Sequence, residues 1–215
     1  MDEVVTEVLG EAWEQRTMAM SGPSFAKEIV QGLPTAVVVA CRDEPLAASI
    51  CDLLFSDVFR AYSSNDMVGV EIGGALKNVM AIAAGGVSGM KLGMNVRAAL
   101  VTRGLSEMPR IALAKGANPL TLSGLAGVGD LMLTCTGGLS RNRAVGQALG
   151  EGKTLEQAQE AIGQVAEGVR TAKSAHELVK SLDVDCPIIE TVYRVLYEDE
   201  PVMEAFKGLV SRHPG

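Results

Sequence analysis

Apolar positions recur with a helical period from the start of the chain. Val4, Val5, Val8, Leu9 and Ala12 share one side of a helix predicted over residues 2–15. The segment MAMSGPSF that follows is extended and broken at Gly22-Pro23. Thr35–Ala40, TAVVVA, changes the period: a run of β-branched residues between Pro34 and Arg42-Asp43 reads as a buried strand. Asp43 is placed to cap a helix whose Leu46, Ile50, Leu53 and Leu54 fall on one face, and Phe59–Ser63 reads as another short strand. Strand, helix, strand predicts a parallel α/β layer.

After Asn65 the pattern is helical throughout, punctuated by glycine turns. Helices are predicted over Asp66–Ala84, Asn95–Lys115, Ser140–Leu149, Thr154–Ile162, Ala166–Leu182, Pro187–Tyr197 and Pro201–Val210. Thr154 with Gln157 makes a capping box, and Pro119, Pro187 and Pro201 suit first-turn positions. The expected organisation is a small α/β piece over residues 1–64 and an all-helical domain over 65–215. An open parallel sheet needs more strands than the first piece supplies, so further strands are expected ahead of Met1.

Composition removes several classes. The 215 residues carry a formal net charge of −7 and 4% aromatics, against the positive field and stacking platforms of nucleic-acid binding. The four cysteines have no CxxC spacing and there are two histidines, His176 and His213, so neither a disulfide framework nor a metal site is expected. No run of eighteen apolar residues predicts a membrane span, and the acidic amphipathic start is not a signal or transit sequence. A soluble chain in a reducing intracellular compartment is the expectation.

Two stretches carry chemistry instead of packing periodicity. GLAGVGDLMLTCTGGLSRNR (124–143) gathers two glycine-rich turns, a lone carboxylate, hydroxyls and two arginines. Asp130 there is either an N-cap or a ligand-facing carboxylate. Ser140-Arg141-Asn142 opens a helix, where a guanidinium and free N–H groups suit an anion, although Arg141 and Arg143 also fit a solvated pair. Cys135 is a nucleophile or a small buried apolar residue. The second stretch is GGALKN (73–78). Val70, Gly73, Gly74, Ala81 and Ala84 share the face of Lys77, so a backbone or a ligand can come close. Lys77 is then a proton-transfer group beside the Asn78 amide, or a lysine snorkelling from a helix edge. Gly127-Val128-Gly129 and Gly152-Lys153-Thr154 fail as phosphate-binding motifs, because Met132 and Gln147 occupy required glycine positions.

SGPSFAKEIVQGLPTAVVVA (21–40), GGALKNVMAIAAG (73–85), ALVTRGLSEM (99–108) and the 124–143 stretch resemble NAD(P)-dependent glycerol-3-phosphate dehydrogenase, the bacterial and plastid type most of all. The resemblance implies the last part of a Rossmann domain, an α/β remnant, followed by an all-α C-terminal substrate domain. It implies interconversion of sn-glycerol 3-phosphate and dihydroxyacetone phosphate with NAD or NADP, in a homodimer of the cytoplasm or the plastid stroma. By the same resemblance Lys77 donates or accepts the proton, and Asp130 contacts the substrate and orders the site. Gly22, Ser24, Asn78, Thr134, Ser140, Arg141 and Asn142 bind substrate. Ala26 and Arg141 contact the cofactor, and Val165 and Glu167 close over its nicotinamide end. The family's glycine-rich cofactor turn is absent from these residues and expected upstream. A truncated, inactive module that binds sugar phosphate or dimerises is the alternative.

Overall fold

The computed structural model describes residues 1–211, so His213 and the last residues of the 65–215 piece lie outside the described residues. The chain divides into two units. One comprises Met1–Gly74 with Ala112–Asp130, the other Ala75–Ile111 with Leu131 onward. The change from strand to helix falls at residues 64–67, as the periodicity places it. The division by compactness instead runs through a helix and returns 112–130 to the first unit.

The first unit is built on a three-stranded sheet of β1 (Met18–Ser21), β2 (Thr35–Cys41) and β3 (Phe59–Ser64), in that order. β2 and β3 are parallel, joined by α3 (Glu44–Leu54), which is the predicted strand–helix–strand unit. β1 runs antiparallel to β2, with Met18 opposite Cys41 and Ser21 opposite Val38. Asp43 caps α3: its Oδ1 accepts the Leu46 N–H at 3.0 Å. The predicted opening helix is shorter than its period. α1 (Asp2–Leu9) stops at Gly10, whose φ of 93° breaks the α geometry, and Glu11–Trp13 form a 3₁₀ turn. A short helix α2 (Ala26–Val30) links β1 to β2. Behind the sheet, Ala40, Met67, Val70 and Ala126 form a buried cluster. Asp66 ties this unit together, its carboxylate accepting from Gly69 N–H, Asn118 N–H and the Thr121 hydroxyl at 2.9, 3.1 and 2.6 Å.

The long helices follow. α4 (Met67–Gly89) runs five residues past the predicted end, and α5 (Met94–Ala114) follows. In the second unit come α6 (Asp130–Thr136, from its second residue), α7 (Arg141–Gly150), α8 (Leu155–Ile162), α9 (Glu167–Leu182), α10 (Pro187–Tyr197) and α11 (Val202–Ser211). α7 packs on α8, α9 and α11, and α10 packs on α9 and α11. α8 carries the predicted capping box in full: Thr154 Oγ1 accepts from Gln157 N–H while Gln157 Oε1 accepts from Thr154 N–H.

α4 outlasts its predicted end because Gly85, Gly86 and Gly89 face another glycine series. A Cβ on Gly146 would overlap the Ile82 carbonyl, one on Gly85 the Arg143 carbonyl, and one on Gly150 the Gly86 carbonyl. The backbones of α4 and α7 therefore touch, an approach open only to glycine. α4 is also rich in Val, Ile, Met and Ala. It is long and apolar enough to cross a membrane by length and composition, with mean hydropathy 1.4 and 61% of the window buried within the protein. The sequence expectation of no span rested on uninterrupted apolar runs, which Glu71 and Lys77 interrupt here.

Candidate functional site

In the first unit the site residues cluster around one carboxylate. Residues Leu125–Gly129 form a π-helical turn ending at Asp130, a geometry frequent at functional positions. Gly127 permits it, since a Cβ there would overlap the Leu122 carbonyl. Asp130 is 2% exposed, and its Oδ2 accepts the Ser21 hydroxyl at 3.1 Å and the Gly22 N–H at 3.2 Å. Those bonds reach back to the end of β1, so Asp130 orders the Gly22-Pro23-Ser24 turn. Gly22 has a φ of 152°, and a Cβ there would lie 2.9 Å from Val37 Cα. Ser24 Oγ donates to the Gly22 carbonyl at 2.8 Å, and Ala26 opens α2 on the surface. Ser21, which the sequence reading passed over, completes this cluster. Its place immediately before Gly22-Pro23-Ser24 was the available signal.

The second unit contains Lys77, Asn78, Thr134, Ser140, Arg141 and Asn142, and it joins Asn78 and Asn142 to the start of α9. Lys77 and Asn78 are half-buried on α4. Asn142 is 8% exposed; its Nδ2 donates to Asn78 Oδ1 at 2.9 Å, and its Oδ1 accepts the Gly168 N–H at 2.9 Å. Ser140 is the N-cap of α7, its Oγ accepting the Arg143 N–H at 3.2 Å. Arg143 is turned inward, with Nε donating to the Gly137 carbonyl at 3.0 Å. Arg141 behaves otherwise: its guanidinium is exposed and bonds to none of the described residues. Thr134 is buried on α6, Val165 is 65% exposed, and Glu167 is exposed at the first position of α9. Gly168 was not singled out in the sequence. The signal was an N-cap position filled by Ala166, which has no capping side chain.

Cys135 resolves toward its bland reading. It is fully buried, and burial pushes its thiol up to about 12 against the opposing charges of Arg97 and Arg143, which keeps it protonated. His176 lies against Tyr193 with ring centroids 3.8 Å apart, and burial lowers its pKa. Among the described residues no group of three or more His, Cys, Asp or Glu side chains converges to hold a metal ion.

The small-residue face around Lys77 is filled by protein. A Cβ on Gly73 would overlap the Ala126 carbonyl, one on Gly74 would come within 2.9 Å of Ser21 Oγ, and Ala81 and Ala84 are fully buried. Gly73 therefore reports close packing against backbone, and Gly74 close packing against a side chain.

Comparison with known proteins gives the family of the chain. Residues 66–207 match the family model for the NAD-dependent glycerol-3-phosphate dehydrogenase C-terminus, and residues 1–47 match the model for the N-terminus. A glycerol-3-phosphate dehydrogenase [NAD(P)+] of Anaeromyxobacter dehalogenans is 57% identical over 212 residues, covering 99% of this chain and 64% of the relative. The enzyme of that name from Geobacter metallireducens is 54% identical, covering 100% of this chain and 64% of its own length. The crystal structure of glycerol-3-phosphate dehydrogenase from Coxiella burnetii superposes with a TM-score of 0.92 at 43% identity, over 98% of this chain and 64% of that one. The yeast (Saccharomyces cerevisiae) enzyme gives 0.82 at 29% identity, over 98% and 63%. This chain thus spans about 64% of the length of the curated relatives it matches. The three-stranded α/β piece and the helical region behind it belong to the NAD-dependent glycerol-3-phosphate dehydrogenase family.

Proposed function

We propose that this chain carries the proton-transfer and substrate-binding residues for interconverting sn-glycerol 3-phosphate and dihydroxyacetone phosphate. The carrying observation is the arrangement in the helical unit. Lys77 directly precedes an asparagine whose amide is held by Asn142, and the neighbouring Arg141 presents an exposed guanidinium at the start of α7. A phosphate monoester suits a free guanidinium at a helix start. Lys77 donates its proton to the ketone oxygen in reduction and takes it from the C2 hydroxyl in oxidation. Asn78 orients that oxygen. In the other unit, Asp130 fixes the Gly22–Ser24 turn.

NAD or NADP supplies the two-electron chemistry when bound. Exposed Arg141 suits its phosphates and exposed, apolar Val165 suits a flat ring; Ala26 and Glu167 are likewise surface-accessible. The family name of the matched models supports this cofactor.

The test is turnover of dihydroxyacetone phosphate with NADH or NADPH, followed at the nicotinamide absorbance. Lys77→Ala is expected to lower kcat by roughly 10²–10⁴-fold. Equal turnover by the chain and by Lys77→Ala sinks the proton-transfer assignment. Calorimetry with glycerol 3-phosphate separates the remaining reading: binding without turnover describes a sugar-phosphate-binding module.

A further inference from the structure

The first turn of α9 lacks a cap of its own. Ala166 occupies the N-cap position, and the helix start carries N–H groups that its own turn cannot satisfy. One of them, Gly168 N–H, is satisfied from another helix, by Asn142 Oδ1 at 2.9 Å. The other half of the same amide is committed to Asn78 Oδ1, also at 2.9 Å. Asn142 is 8% exposed, so both bonds form away from water, where an unmade bond has no replacement.

The site is built closely around this amide. A Cβ on Gly168 would lie 2.7 Å from the Asn78 carbonyl oxygen and 2.8 Å from Asn142 Oδ1, so only glycine lets the start of α9 reach both helices. Asn78 adjoins Lys77 on α4. Gly168 follows Val165, Ala166 and Glu167, and Val165 is 65% exposed on the approach to the helix. One side chain on α7 thereby fixes a residue beside Lys77 and the anchor of the 165–167 segment.

We infer that Asn142 is a positioning residue with two separable arms. Its amide N–H holds the Asn78 carboxamide for the substrate, and its amide oxygen caps α9 so that Val165–Glu167 stay in place for the cofactor. This goes beyond a direct substrate contact, because the amide is engaged on both sides by the protein. It rests on the proposed function for its kinetic consequence but not for its structural one.

Two variants of the full chain separate the arms. Asn142→Asp keeps an oxygen for the Gly168 N–H and loses the donor to Asn78. Asn142→Leu removes both. Amide hydrogen exchange read at Gly168 is expected to accelerate by about tenfold or more in Asn142→Leu and to stay near the parent rate in Asn142→Asp. In kinetics, Asn142→Asp is expected to raise KM for dihydroxyacetone phosphate alone. Asn142→Leu is expected to raise KM for the nicotinamide substrate as well, a split that general loosening of the fold does not produce.

Unaltered exchange at Gly168 in Asn142→Leu overturns the inference whatever the activity. So does an identical change in both KM values for both variants. Accelerated exchange in a chain that binds no glycerol 3-phosphate upholds the cap and removes the proposed function instead. Should Asn142→Leu fail to fold, Asn142→Asp still decides the substrate arm.

Discussion

A Gly146→Ala chain is expected to lose about 3 kcal/mol or more of the stability of its helical unit. The added methyl is directed at the Ile82 carbonyl, and Gly86 N lies 3.0 Å from the same point. Both are backbone atoms inside α4, so no side-chain rotation relieves the overlap. Relief requires α7 to move away from α4, which also separates Gly85 from the Arg143 carbonyl and Gly150 from Gly86. Close-packed interiors resist such shifts, because every contact along the seam is lost together. Gly138→Ala is the control. A Cβ there meets nothing within 4 Å, and its φ is not in the region reserved for glycine, so about 0.5 kcal/mol or less is expected. Urea unfolding followed by helical circular dichroism reads both. Equal midpoints for Gly146→Ala and Gly138→Ala would show that the seam is not close-packed.

Glu107 supplies the second large effect, and its sign depends on pH. The carboxylate is 1% exposed on α5, and both oxygens accept the Ile188 N–H, at 3.0 and 3.1 Å, at the start of α10. Burial raises its pKa from 4.5 to about 7, even though the Ile188 and Ile189 N–H groups and the charges of Arg103 and Arg110 act in the opposite direction. Below pH 4.5 the folded and unfolded chains both carry the proton. Between 4.5 and about 7 only the folded chain keeps it, so stability falls as pH rises across that window and stays low above it. The shift corresponds to about 3 kcal/mol, as an order of magnitude. Glu107→Gln keeps an acceptor for α10 and cannot ionise. It is therefore expected to be more stable than the parent at pH 8 and equal to it near pH 4.5. Glu107→Ala is expected to be destabilised by roughly 2–4 kcal/mol near pH 4.5, since it leaves the Ile188 N–H without an acceptor and opens a cavity, and by clearly less at pH 8, where the parent has lost the stability tied to the proton. Parallel pH profiles for Glu107→Gln and the parent would exclude ionisation of Glu107 as the source.

Sequence patterning captures what is local. Thr35–Ala40 announces β2 through β-branched residues between breakers, and Asp43 and Thr154 announce helix starts through side chains that bond within three residues. It misses what depends on distant partners. Nothing in Met18–Ser21 says that β1 lies antiparallel to β2, because pairing is written in neither strand alone. Gly85, Gly86 and Gly89 look like helix breakers until Gly146 and Gly150 of α7 are set against them. The π-helical turn before Asp130 depends on Gly127 meeting the Leu122 carbonyl. Glu107 reads as one more charge along a helix, and only the start of α10, some eighty residues on, makes it buried. In the candidate site, the pattern located the 124–143 stretch and Lys77. Gly73 records a backbone contact and Gly74 a side-chain one, and the roles proposed for individual residues rest on the family resemblance.

The four unpaired cysteines divide evenly: Cys41 and Cys51 belong to the first unit, Cys135 and Cys186 to the second. Burial raises the Cys51 thiol and pushes Cys135 and Cys186 to about 12, while Cys41 is buried with Sγ–H directed at the Gln15 carbonyl. A folded chain thus offers electrophiles almost no thiolate at Cys135 and Cys186, and it closes the Cys41 sulfur off from solvent. Cys51, Cys135 and Cys186 regain their ordinary acidity when the structure around them opens, and Cys41 regains contact with solvent. The chain therefore carries a pair of native chronometers in each unit, and the order in which peptides acquire an alkyl label records which unit comes apart first.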